Sequence, residues 1–388
     1  MRCEYKEEDL RMKTVFLCCT YYQLIVSIQI RQTMYKDAEA YLLLSDDSKG
    51  YDLIAAKLTE THLFNDVLTV PKRKMLDMSS SLKDKIVHVC YSLYGCGKIK
   101  QIAQKKIDAF LFFNDDTYTS WLYAELSRAN PKLQNIRFEE GFISYYIPQQ
   151  QTDTLYMYTT QKLRKILGKP VFFGSMKEFL CFFPSLYKGK LLPVQIPRIS
   201  PDDKILTDQL AHIFNVQKEK LNYRQYIYFT STMHAEITGA TEEGELNIIK
   251  SLADIVGQEN ITIKKHPRDK TCIYNSYHNA ANSSVPFEVI QLIHGFEGHV
   301  FLTTLSGAVL TVSSIIDNPP PIIFTYKMYV PKEMEYLKKW GPLYEELSEK
   351  LMTEHKGLKI YFPQNEQELK DILTQLAAIA SEPARNRT

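Results

Sequence analysis

At 388 residues the chain is long for one hydrophobic core and fits two domains of roughly 150–200 residues. Its 45% hydrophobic and 24% charged residues, with only 15 Gly and 17 Pro, are those of a soluble globular protein and exclude collagen-like, disordered and linker readings. Lys and Arg number 47 against 45 Asp and Glu, so the formal charge of +2 supplies no global field for nucleic acid, and none is expected as a partner.

The opening MRCEYKEEDLRMKTVFLCCTYYQLIV is charged before its apolar stretch, and polar residues from Thr20 to Gln23 interrupt that stretch. It falls well short of the roughly 18–20 apolar residues a membrane span needs, so neither a signal peptide nor a transmembrane helix is expected. The seven cysteines form no CxxC pair and no zinc-like cluster with histidine, which reads as reduced, mostly buried thiols in a cytoplasmic protein.

In chain order, TVFLCC (14–19) predicts a strand, and QLIVSIQIRQTMY after it carries helical spacing. AEAYLLLSD (38–46) is a strand, DLIAAKLTE a helix, DVLTVP (66–71) and KIDAFLFFNDD (106–116) strands, WLYAELSRA (121–129) a helix and NIRFEEG (135–141) a short strand. Such alternation argues for a parallel sheet covered by helices. Ligands of such sheets bind beyond the carboxyl ends of the strands, so Thr20, Asp46, Asn114 and Glu139 are candidates to face one crevice.

Residues 160–190 are basic and aromatic and read as an amphipathic subdomain; a homodimer contact and a surface facing a membrane or an acceptor both stay open for it. LLPVQIPRISPDD (191–203), with three prolines and no period, is the best linker candidate. A second alternating unit follows: YRQYIYFTST (223–232) a strand, NIIKSLADIVG (247–257) a helix, ITIKKHPRD (261–269) a strand and turn, HVFLTTLSGAVLTV (299–312) strand, loop and helix, and PPPIIFTY (319–326) a strand. Two doubly wound α/β halves across a cleft is the expected architecture.

No GxGxxG, GxxxxGK[ST], GxSxG or HExxH pattern occurs. Three local features remain. Glu139 and Glu140 end a strand, followed by Gly141, which lets the backbone turn sharply; one of the two carboxylates can act as general base on a hydroxyl. His266 precedes Pro267 among Lys264, Lys265 and Arg268, a proton donor in a cationic turn. Thr304, Ser306 and Gly307 stand at a strand-to-helix junction, where hydroxyls and free N–H groups suit a phosphate. Taken singly, the same residues read as a solvated acid pair, a surface histidine and a plain N-cap.

As an ordered set, Glu139-Glu140-Gly141, His266-Pro267 and the Ser306 segment resemble the (D/E)(D/E)G, HP and S(S/T) motifs of bacterial sialyltransferases. VFLTTLSGAVLTV and KKHPRD look most similar to the lipooligosaccharide sialyltransferases of glycosyltransferase family 52, with the polysialyltransferases as close relatives. The resemblance implies a GT-B fold of two Rossmann-like domains: 1–195 on the acceptor side, carrying the basic aromatic segment, and 196–388 binding the CMP-sugar. It also implies CMP-sialic acid as donor substrate, a lipooligosaccharide or capsule-type glycan as acceptor, inversion at the anomeric carbon, no other cofactor and no metal. Glu139 would then be the base, His266 would donate to the departing CMP phosphate, and Ser306 with the Gly307 amide would hold that phosphate beside Pro267 and Thr304.

Two departures stand out. The third motif reads Leu305-Ser306-Gly307 rather than Ser-Ser or Ser-Thr. The lipooligosaccharide enzymes use an aspartate as base in the loop after the first strand of the second domain. Here that loop runs from Thr230 through Ser231 and His234 to Glu236 without an Asp, which leaves His234 and Glu236 as rivals to Glu139. A CMP-Kdo transferase and a non-catalytic nucleotide-binding regulator are the alternative functions. The location implied is cytoplasmic, with peripheral contact to the inner face of the membrane left open.

Overall fold

The computed structural model describes residues 11–47, 50–76, 81–146, 155–200, 202–217, 222–266, 269–280, 285–330 and 334–381. The chain divides after Pro197 into two compact units.

The first unit is built on seven strands: β1 Lys13–Cys18, β2 Glu39–Ser45, β3 Asp66–Val70, β4 Ala109–Phe112, β5 Gln134–Phe138, β6 Met176–Cys181 and β7 Leu192–Gln195. They pair in parallel in the order β3-β2-β1-β4-β5-β6-β7. The central strands are buried on both faces, Val15 to Cys18, Tyr41 to Leu44 and Phe110 to Phe112 being inaccessible or nearly so. A parallel sheet covered on both sides demands such unbroken apolar runs rather than alternation. Helices supply the cover. Tyr21–Thr33 is buried on every side from Gln23 to Ile30, and Thr117–Ala129 from Tyr118 to Ser127. Trp121 on the latter is fully buried in the core and donates its indole N–H to Ser92 Oγ at 3.1 Å. Burying a large apolar side chain of this kind contributes about 1.5–3 kcal/mol each.

Two expectations change here. Leu192–Gln195, at the start of the stretch read as a linker, is the seventh strand, while the division after Pro197 falls within that stretch. It lies at the sheet edge, where Pro193 removes no ladder bond that a further strand would need. The basic aromatic segment is not a subdomain of its own: it holds most of the helix Leu155–Ile166 and then β6, which joins the main sheet beside β5.

The second unit carries a six-stranded sheet: β8 Tyr226–Phe229, β9 Ile261–Lys264, β10 His278–Asn279, β11 Val300–Thr303, β12 Ile322–Phe324 and β13 Ile360–Tyr361. All pairs are parallel, in the order β10-β9-β8-β11-β12-β13. Six helices accompany it among the described residues, apart from the short turn Met233–Glu236: Lys204–Phe214, Glu242–Val256, Phe287–His294, Ala308–Ser314, Glu335–Glu354 and Glu366–Ser381. Both sheets are thus doubly wound, and two such units in one chain are the domain content of a GT-B protein. The strand order reverses between β1 and β4 in the first sheet and between β8 and β11 in the second. These switch points are where open α/β sheets leave a crevice beyond the strand ends.

Candidate active site

In the first unit the candidate residues gather at the carboxyl ends of three neighbouring strands. Thr20 follows β1, Asn114 follows β4, and Glu139 and Glu140 follow β5. Thr20 caps the Tyr21–Thr33 helix, its Oγ1 accepting from the Gln23 N–H at 3.2 Å. The Gln23 side chain donates to Asn114 Oδ1 at 2.8 Å. Gly141 has φ +66°, the left-handed turn for which a glycine is suited, and it sends the chain into the short Ile143–Tyr146 helix.

That turn sorts the two glutamates. Glu139 is 2% exposed. Its Oε1 accepts from the Tyr22 hydroxyl at 2.8 Å, and its Oε2 from the Phe182 N–H at 2.9 Å and from the Tyr145 hydroxyl. Burial pushes it up to about 7, against the pull of those three donors. Glu140 is half-buried and takes hydrogen bonds from the Thr20 and Gln23 side chains; burial raises it too, opposed by these bonds and by the cations of Lys72 and Arg137. The sequence does not separate the pair; the packing does.

Lys72 was not singled out in the sequence, where it sits in a short basic run after Pro71. In the fold it is 6% exposed and bridges Asp47 at 2.8 Å and Asp116 at 2.7 Å, with Cys19 Sγ at 3.5 Å. Burial alone favours the neutral amine, but the Asp47 and Asp116 carboxylates hold it charged.

In the second unit β9, β8 and β11 are adjacent, and the three candidate loops leave their carboxyl ends in that order: His266 after β9, Thr230 to His234 after β8, Thr304 to Gly307 after β11. The loops are tied together. The His266 N–H donates to Thr230 Oγ1 at 3.0 Å; Thr230 Oγ1 donates to Asp269 Oδ2 at 3.1 Å; and the Asp269 N–H closes the turn on the His266 carbonyl at 2.9 Å. His266 itself is half-buried. Pro267 lies outside the described residues, as does the side chain of Glu236; His234 is half-buried on the one-turn helix Met233–Glu236.

Beneath these loops stands Glu245, 3% exposed, on the helix Glu242–Val256. It accepts from the Ser231 N–H (3.2 Å to Oε2) and hydroxyl (3.3 Å to Oε1), from Thr304 Oγ1 at 3.0 Å and from the Tyr274 hydroxyl at 3.1 Å. Burial raises it to about 7 as well. Because Thr304 donates to Glu245, the 2.8 Å contact between Thr304 Oγ1 and Tyr228 Oη has the tyrosine as donor. Thr304 is fully buried and Ser231 8% exposed, so both brace the loops from below and leave the half-buried Ser306 and Gly307 at the front. The helix that Gly307 opens has only seven residues. Glu245 was missed in the sequence because it stands among Glu242 and Glu243, the ordinary acidic first turn of a helix.

Among the described residues no group of three or more His, Cys, Asp or Glu is placed to hold a metal ion, and no helix is long and apolar enough to cross a membrane. Four of the six described cysteines are buried, Cys90 and Cys272 are exposed, and none of the six forms a disulfide.

Solved structures of similar trace include the α/β-galactoside α-2,3-sialyltransferase of Photobacterium phosphoreum (TM-score 0.49, 10% identity, 90% of this chain and 99% of that one). The UDP-GlcNAc 2-epimerase of Neisseria meningitidis bound to UDP-GlcNAc is another (TM-score 0.45, 12% identity, 95% and 92%). No curated protein matches the chain significantly. A family model does, over residues 14–293, well over half of the chain. It describes alpha-2,8-polysialyltransferase (POLYST), which the motifs placed next to the lipooligosaccharide enzymes. The match takes in the carboxylate pair and the His266 turn, and by it the chain belongs to the alpha-2,8-polysialyltransferase family of sialic acid transferases.

Proposed function

We propose that the chain transfers sialic acid from CMP-sialic acid, with inversion, to a hydroxyl of a cell-surface glycan of capsule or lipooligosaccharide type. The observation that carries this reading, beside the family, is the gathering of the His266, Ser231 and Ser306 loops on three adjacent strand ends. In the reaction the acceptor oxygen bonds to the anomeric carbon as the bond from that carbon to the CMP phosphate oxygen breaks. The departing phosphate gains negative charge, which His266, the Ser306 hydroxyl and the Gly307 amide stabilise by hydrogen bonds. This assigns charge neutralisation to the protein rather than to a metal ion, so transfer is expected to persist in EDTA.

The acceptor proton goes to Glu139, whose affinity of about 7 suits a base working near neutrality. Glu139 is buried, but Tyr22, half-buried, donates to it at 2.8 Å. The acceptor hydroxyl therefore passes its proton to the Tyr22 oxygen while Tyr22 passes its own to Glu139. A second reading rests on the greater exposure of Glu140, which would take the proton directly. Tyr22→Phe abolishes transfer on the first reading and Glu140→Gln on the second.

Titration calorimetry with CMP, UDP and GDP tests the donor class, repeated with CMP on a Ser306→Ala plus His266→Ala double variant. Selective CMP binding that weakens in the double variant is expected, followed by turnover of CMP-sialic acid in preference to CMP-Kdo. No preference for CMP overturns the proposal, and CMP binding without turnover of either sugar leaves a nucleotide-binding regulator.

A further inference from the structure

The helix Leu155–Ile166 has two faces of different kinds. Met157, Thr160, Gln161 and Arg164 are buried against the first unit. Arg164 fixes the helix there, donating to the carbonyls of Pro170, Ser92 and Leu93 at 2.8–3.3 Å and to Ser127 Oγ at 3.2 Å. At about 100° per residue, the opposite arc of about 120° carries Leu155, Tyr158, Thr159, Lys162, Lys165 and Ile166. On it Leu155 is 79%, Ile166 72% and Tyr158 61% exposed, and Leu167 follows at 49%. No Asp or Glu occurs from 155 to 177, while Lys162, Lys165 and Lys169 do. Lys169 stands over the ring of Tyr94, itself 48% exposed, at 4.5 Å.

Single exposed apolar residues need no explanation, but three on one arc of one anchored helix, interleaved with two exposed lysines, do. We infer that this outward face docks on an anionic lipid bilayer, its aliphatic side chains entering the acyl boundary and its lysines meeting lipid phosphates. The chemistry selects that occupant. A glycan offers hydroxyls and charges that Leu155 and Ile166 cannot engage, and a second copy of the same face would set lysine against lysine. The helix is already folded and pinned by Arg164, so docking orders no new backbone. Such binding scales with buried apolar area plus attraction to anionic headgroups. The inference is independent of the transfer chemistry: it would hold for any activity at the strand ends.

The test is co-sedimentation of the full chain with phosphatidylcholine vesicles, with and without phosphatidylglycerol. The protein is expected to sediment with the phosphatidylglycerol vesicles only, and less as salt rises. Lys162→Glu with Lys165→Glu should weaken binding roughly 30-fold or more, each lysine near an anionic surface being worth about fivefold. Leu155→Ser with Ile166→Ser should weaken it about tenfold or more while every charge is kept. All four residues are exposed, so both variants should melt like the wild type and keep transfer to a soluble acceptor, which separates failure here from failure of the catalytic reading. Absence of sedimentation with the anionic vesicles, or wild-type binding by the serine variant, overturns the inference. So does a dimer in light scattering that the serine variant dissociates, which would give the face to a second copy.

Discussion

Replacing Glu245 by Gln removes a charge from the centre of the second unit while keeping the shape. The wild-type carboxyl is held at about 7 against an ordinary 4.5. Below pH 4.5 it is protonated whether the chain is folded or not, and the fold carries no penalty. As pH rises from 4.5 through 7 the unfolded chain ionises first, and stability present at low pH is lost, flattening above 7. The span of about 2.5 pH units at about 1.4 kcal/mol each makes that loss about 3 kcal/mol. Glutamine has no such slope. Facing the donors of Ser231, Thr304 and Tyr274 with an amide should cost it a constant ~1–2 kcal/mol. Glu245→Gln is therefore expected to be the less stable protein at pH 4.5 and to close on, then overtake, the wild type by pH 8. For a unit of this size, about 3 kcal/mol corresponds to a relative shift of roughly 6–12 °C in Tm, well resolved by scanning calorimetry of the two proteins side by side across that range. A gap in Tm that stays constant with pH would refute the reasoning, since it would mean that Glu245 ionises as in water.

Two further outcomes follow from the same geometry. His266→Ala should lower kcat/KM for sialyl transfer by 10²-fold or more while Tm stays put, because the side chain is half-buried in a loop held by Thr230 and Asp269; an active variant removes His266 from the mechanism. Lys72→Met leaves Asp47 and Asp116 facing an apolar side chain where a cation had bridged them. With Asp47 and Asp116 a third and a quarter exposed, this should destabilise the first unit by about 1–3 kcal/mol, and an unchanged calorimetric transition would show that water replaces the ammonium at no cost.

The strands were legible where burial on both faces forced continuous apolar runs, as in Thr14 to Cys18, Tyr41 to Leu44 and Val300 to Thr303. They were hidden where the position relaxed that demand. β6 begins on partly exposed Met176, Lys177 and Glu178 before burying Phe179 to Cys181, so its first half reads as basic loop. β7 is an edge strand with a proline, indistinguishable in sequence from a linker. The candidate site divides in the same way. Residues announced by a turn signal, Gly141 after the glutamates and Pro267 after His266, could be found. Glu245, Lys72 and Asp269 could not, because each acts by accepting or donating across segments distant in sequence: Glu245 reaches Thr304 and Tyr274, Lys72 reaches Cys19 and Asp116, Asp269 reaches Thr230.

Glu139 and Glu245 set a limit on what a raised carboxyl affinity can say about catalysis. Strand-end loops leave N–H groups without ladder partners, and a carboxylate can accept from several donors at once, so one buried glutamate can hold several loops in place. Glu139 does this for the Phe182 N–H, Tyr145 and Tyr22, and Glu245 for the Ser231 N–H, Thr304 and Tyr274. Burial then lifts both to about 7 for the same reason. What differs is the way out. Ser231, Thr304 and Tyr274 are all buried, whereas Tyr22 is half-buried, and it is through its hydroxyl that the proposed route carries the acceptor proton to Glu139. Conservative neutralisation separates the two roles: Glu245→Gln should alter the pH dependence of stability with kcat largely kept, and Glu139→Gln should abolish turnover along with its own share of that dependence. If both variants lose turnover equally, the route through Tyr22 is not what distinguishes a base from a brace.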